Sequence, residues 1–136
     1  MSQKIMGGVM GGIVGGMIFG MLMQMMGMMP MIAKLVGGDT VILGWIVHMV
    51  ISIAAGILFV LVFSNMIVSY ASATKYGLAY GVFWWILGPL ILMPVILGMG
   101  VQLQNAFGQT QLMSLMGHMI FGITLGLVYH KLTKQV

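Results

Sequence analysis

Four long apolar runs, at residues 7–32, 43–65, 76–99 and 112–131, carry no charged side chain in their interiors. Each is near the ~20 residues that a helix needs to cross a bilayer's hydrocarbon core. The breaks between them hold residues that stop helices. Pro30 and Gly37-Gly38-Asp39 close the first run, and Ser64-Asn65 with residues 69–75 divide the second from the third. A glycine- and amide-rich connector, residues 98–111, precedes the fourth. Only 4% of the chain is charged and 61% is hydrophobic, whereas soluble domains carry roughly 25% charge. The expected fold is therefore all-α: a polytopic membrane protein of four transmembrane helices in one domain over residues 1–136, with the lipid bilayer as its solvent. The first run continues past Pro30 with no small-x-small cleavage site, so it reads as a retained span and not a signal peptide.

The few charges act as topology signals. Lys4, Lys75, Lys131 and Lys134 fall on one side of a four-span arrangement, while Lys34 and Asp39 nearly cancel on the other. By the positive-inside rule both termini and the middle loop are cytoplasmic, in a cytoplasmic (inner) membrane. Five lysines are too few for a nucleic-acid surface, so no nucleic-acid partner is expected. The chain has no cysteine, which excludes disulfides and thiolate metal sites.

One phrase is written twice. His48-Met-Val-Ile-Ser-Ile-Ala-Ala-Gly56 returns as His118-Met-Ile-Phe-Gly-Ile-Thr-Leu-Gly126. The likeness extends, more weakly, to Gly12-x3-Gly16 and Gly77-x3-Gly81, and to Pro30 and Pro94 with one gap. It implies a duplication, repeat one about 5–66 and repeat two about 74–132. Two spans per unit keep both copies in the same orientation, as parallel-repeat hairpins about an axis along the membrane normal. At 100° per residue His48 shares a face with Ser52, Ala55 and Gly56, and His118 with Gly122, Gly126 and His130. Small residues mark close helix approach, so both histidines are expected to point inward. Their expected depth is five or six residues into their helices, roughly 8 Å from the outer end.

An ionisable residue at membrane depth is a functional candidate by default. His48 and His118, with Ser52 and Gly122 beside them, admit three readings. They could bond backbone across helices, ligate a transition metal such as copper or a b-type haem, or gate by protonation. Two further patterns compete with this pair. Gly8, Gly12, Gly16 and Gly20 form a small-xxx-small stripe, flanked by Gly7, Gly11 and Gly15, that fits packing within the bundle or between subunits, or a backbone-lined pore. Gly56 and Gly126 extend the packing set. Met17, Met21, Met25 and Met29 stand at i, i+4 spacing among 18 methionines, and thioethers select Cu(I). Met17 and Met21 lie roughly opposite the glycine stripe, facing lipid or another helix. The ladder resembles that of the copper transporter family, which also joins MxxxM with GxxxG but has three spans per subunit. Finally, Gly88-Pro89 and Pro94 each bend the third span, as a kink or as the wall of a cavity.

No span holds Asp, Glu, Arg or Lys at depth, which argues against ion-coupled transport. No phosphate loop, HExxH motif or nucleophile–base pair is present, so no enzymatic activity is expected. Trp84-Trp85…Gly88-Pro89…Met93-Pro94, with Gly117-His118-Met119 and Gly122…Gly126, resembles small prokaryotic four-span membrane proteins with an internal duplication. The resemblance implies a fold and carries no activity. The leading expectation is a non-enzymatic membrane protein with a paired-histidine metal or haem site near the outer face. The alternatives are an accessory subunit, in a homo-oligomer or larger membrane complex packed through its glycine face, and a passive channel or copper(I) conduit.

Overall fold

The computed structural model describes residues 2–134. Within them every regular element is a helix, and four helices are long and apolar enough to cross a membrane. α1 (Ser2–Met25) is followed by the short α2 (Met29–Lys34) and by α3 (Val41–Phe63). The third span, Tyr70–Ile96, is composite: α4 (Tyr70–Leu87), one π-helical turn (Gly88–Leu92) and α5 (Met93–Ile96). A 3₁₀ turn (Leu103–Asn105) leads to α6 (Gln109–Thr133).

Local chemistry sets these ends. Three helices stop in the same way, at Gly27, Gly37 and Gly98, each with φ between +68° and +81°. At Gly27 its own N–H bonds the Gln24 carbonyl and the next N–H bonds Met23, and the same pair of bonds recurs after Gly37 and Gly98. This is the Schellman stop, which needs a left-handed residue and so favours glycine. Pro30 does not close the first helix as expected. It sits in the first turn of α2, where a missing N–H costs nothing, and Gly27 makes the break. Thr40 caps α3 through the Leu43 N–H, and Ser69 with Ser72 forms a reciprocal capping box on α4.

α1 is the central helix, packed on α3 along one side and α6 along another, while α4 packs on α6. The doubled glycines of α1 explain this. A Cβ on Gly8, Gly12 or Gly16 would meet the Gly56 or Ser52 region of α3, and one on Gly20 would meet Trp45. A Cβ on Gly7, Gly11 or Gly15 would meet Tyr129, Leu125 or Phe121 of α6. Each GG pair thus presents one glycine to each neighbour. On the other side of the bundle Ala73 faces Gly126, Gly77 faces Gly122, and Gly81 faces the His118 carbonyl. These pairings run α1 and α4 antiparallel to α3 and α6. They gather Lys4, Lys75, Lys131 and Lys134 at one end of the bundle, opposite Lys34 and Asp39.

α3 and α4 touch sparingly. Their contact is an aromatic cluster toward the lysine-rich end, where Phe63 stacks on Tyr76 at 5.5 Å and Phe59 lies 5.2 Å from Tyr80. The Tyr80 hydroxyl donates to the Ala55 carbonyl at 2.6 Å. Beyond this bond, toward the other end, the two helices separate.

Candidate functional site

The separation of α3 from the composite span opens a cavity of about 400 Å³. The third span reaches around it because of its prolines. A proline inside a helix lacks an N–H and crowds the preceding turn, and here the run Gly88–Leu92 widens into a π turn, a form that single-turn helix bulges often take. Gly88, Pro89, Leu92 and Met93 line the cavity, so the bent helix is its wall. Pro94 has a second effect. The Leu90 carbonyl, whose α-helical donor would be residue 94, instead accepts the Gln102 N–H at 2.8 Å. This ties the connector to the bend.

Both histidines line this cavity, together with Ser52 and Ser114. His48 is 6% exposed, and its Nε2 lies 2.8 Å from the Gly16 carbonyl. His118 is partly buried, and its Nδ1 lies 2.8 Å from the Ser114 carbonyl one turn back. A carbonyl only accepts, so each of these nitrogens carries the proton. In the neutral rings that leaves His48 Nδ1 and His118 Nε2 as lone-pair acceptors. Neither makes a hydrogen bond among the described residues. The Ser52 hydroxyl donates to the His48 carbonyl at 2.8 Å, and the Ser114 hydroxyl lies 3.4 Å from His118 Nδ1. The Trp84 indole N–H is buried without a partner among the described residues.

Phe19 joins the pair. Its ring meets both imidazoles edge-on, with centroids 5.5 Å from His48 and 4.6 Å from His118. Its place follows from Gly117, where any side chain would occupy the position of the ring. The histidines also lie deeper than expected. α3 begins at Val41 and α6 at Gln109, so His48 is the eighth helical residue and His118 the tenth. They are roughly 10 and 13 Å from their helix starts at 1.5 Å per residue. The expected starts, 43 and 112, are two and three residues late; for α6 the reason is that Gln109 and Gln111 read as loop, although the helix runs through them.

The remaining candidates lie elsewhere. Gly122 packs against Gly77 and takes no part in the cavity wall. Met17, Met21 and Met25 are 51%, 52% and 84% exposed on the outside of α1. Met29 is fully buried under α3. The Gly27 stop turns the chain, so the four thioethers do not form one ladder. Among the described residues no three His, Cys, Asp or Glu side chains cluster to hold a metal ion. Sequence reasoning missed Phe19 and Ser114. Ser114 carried a signal, since it stands four residues before His118 as Gly44 does before His48.

No protein-family model, curated protein or solved structure matches the chain.

Proposed function

We propose that this chain is a non-enzymatic integral membrane protein that holds a small ligand in the cleft between α3 and the bent third span, with His48 and His118 as its polar contacts. One observation carries the reading. Both imidazoles line the same apolar cavity, each fixed by a backbone carbonyl with its other nitrogen unbonded. A largely apolar pocket with a few convergent polar groups is the usual form of a small-molecule site, and its volume is within the range of roughly 300–1,000 Å³ common for such sites. The lysine distribution supports a cytoplasmic-membrane location with both termini inside the cell.

A transition metal such as copper is the second reading. Metal-binding imidazoles commonly donate their other N–H to a carbonyl, as both do here. Two nitrogens alone would leave most of the ion's coordination to the ligand or water. A b-type haem fits less well. A macrocycle between the two rings would need the space of Phe19, which contacts both.

The glycine stripes pack inside the chain against α3 and α6, which supports reading them as a contact surface within the bundle. The exposed methionines of α1 suit lipid contact.

The test is extraction of protein purified from its native membrane. Mass spectrometry of the denatured sample, with elemental analysis and a visible spectrum, is expected to show a stoichiometric small molecule or metal. In the His48→Leu/His118→Leu protein its occupancy is expected to fall at least tenfold. A folded native protein carrying neither would overturn the proposal.

A further inference from the structure

We infer that the ligand is an uncharged amphiphile dissolved in the bilayer, with an apolar body and a single hydroxyl-type donor head, admitted sideways between α3 and the bent third span. The inference rests on the proposed reading of the cleft and names its ligand class.

The wall chemistry sets the head. The two unbonded imidazole nitrogens are acceptors, while the Ser52 proton is spent on the His48 carbonyl. A donor on the ligand is what these atoms lack. No Lys or Asp lines the cavity, so a carboxylate or ammonium head would lose its hydration without a counter-charge. Apart from the Ser114 hydroxyl and the Trp84 indole N–H, which a hydroxyl head's oxygen can meet, the rest of the wall is aliphatic, aromatic and thioether, which suits a hydrocarbon body.

The route follows from a difference between the two halves. At the offset that takes Gly12 to Gly77, the α1 glycines Gly11 and Gly15 correspond to Tyr76 and Tyr80. Gly11 and Gly15 let α1 close against Leu125 and Phe121 of α6. In the corresponding seam, between α4 and α3, Tyr76 and Tyr80 stand against Phe63 and Phe59 and hold the helices apart. One seam is sealed by glycine; the other is propped by tyrosine. The cavity lies above the prop, and its rim residues Ile51, Leu58, Leu92 and Ile96 are exposed on the apolar outer surface. A molecule already in the hydrocarbon layer reaches it without crossing the polar loops.

Ala54 provides a clean variant. It lines the cavity from the interior of α3 and is exposed there. Ala54→Phe should therefore fill the cavity and leave the helices in place. The probe is 11-bromoundecan-1-ol added to the full chain in phosphatidylcholine vesicles, with tryptophan fluorescence as the readout, since Trp84 lines the cavity. Saturable quenching, reversed by undecan-1-ol, is expected. The half-saturating dose should rise at least fivefold for 1-bromoundecane, which lacks the donor, and for His48→Leu/His118→Leu. Ala54→Phe should leave only the linear background of bilayer partitioning. Its thermal melting curve reports that it is folded. Equal, linear quenching by alcohol and alkane in the native protein overturns the inference. If that result comes with a stoichiometric metal or polar ligand in the native extract, the cleft still binds a ligand and only the class named here is wrong. If the extract is also empty, both fall.

Discussion

A glycine in this bundle means one of three things, and its neighbours decide which. At Gly56 a Cβ would meet the Gly8 carbonyl and the Gly12 Cα. These are backbone atoms that cannot rotate away, so α1 and α3 would have to part. At Gly27, Gly37 and Gly98 space is open but φ is positive, so the constraint is conformational. At Gly88 the constraint is the next residue, because Pro89 crowds any Cβ placed before it in helical backbone. Overpacking of a well-fitted interface costs about 1–3 kcal/mol, and an unconstrained surface-like site changes stability by within about 0.5 kcal/mol. Gly56→Ala should therefore lower the unfolding free energy by about 1–3 kcal/mol in a detergent denaturation series, and Val50→Leu, on the exposed side of α3, should leave it within about 0.5 kcal/mol. Equal effects would mean that backbone contact does not hold α1 on α3. At this scale the sequence was readable for glycine spacing, because small-residue periodicity survives any packing detail. The imidazoles were readable as inward-facing, with a backbone bond across helices as one reading, but not in which carbonyl they reach. The carbonyl that fixes His48 belongs to Gly16, thirty-two residues away, and no local pattern announces such a bond.

Helices were legible where their chemistry is local, as in the apolar runs, the caps and the stops at Gly37 and Gly98. The break at Gly27 was hidden because it lies inside an unbroken methionine-rich stretch, where hydropathy gives no sign of a turn. The bend in the third span was visible as two prolines, but its consequence depended on the connector. Because Pro94 has no N–H, the Leu90 carbonyl is left for the Gln102 N–H. Pro94→Ala restores an intrahelical donor that competes for this carbonyl. The expected outcome is a straighter third span and a looser connector, read as faster hydrogen–deuterium exchange at residues 99–108 while α1 and α6 are unchanged. Unaltered exchange across the connector would show that its other bonds, such as Gln102 Nε2 to the Met99 carbonyl at 3.1 Å, are enough to hold it.

Across the whole molecule, the antiparallel pairings collect four of the five lysines at one end. Lys4 donates to Asn65 at 3.3 Å, and Lys134 donates to the Tyr70 hydroxyl at 2.9 Å. The α1–α3 and α4–α6 hairpins therefore present their basic ends together. The cavity lies in the half away from that end, beyond the Tyr80–Ala55 bond. If the basic end is cytoplasmic, as the bias of lysines in short loops favours, the histidine cleft belongs to the outer half of the bilayer and draws its ligand from the outer leaflet. The absence of cysteine makes this directly measurable, since a single introduced thiol is the only one that reacts. Ala71→Cys lies at the basic end and Val36→Cys at the other, and both positions are exposed. In intact cells a membrane-impermeant maleimide should label Val36→Cys and leave Ala71→Cys unlabelled until the membrane is permeabilised. The reverse pattern would put the cleft in the inner leaflet. Moving the lysine bias, by Lys4→Gln, Lys75→Gln and Lys131→Gln with two lysines added beside Lys34, should then shift labelling toward Ala71→Cys, because lysines in short loops set orientation.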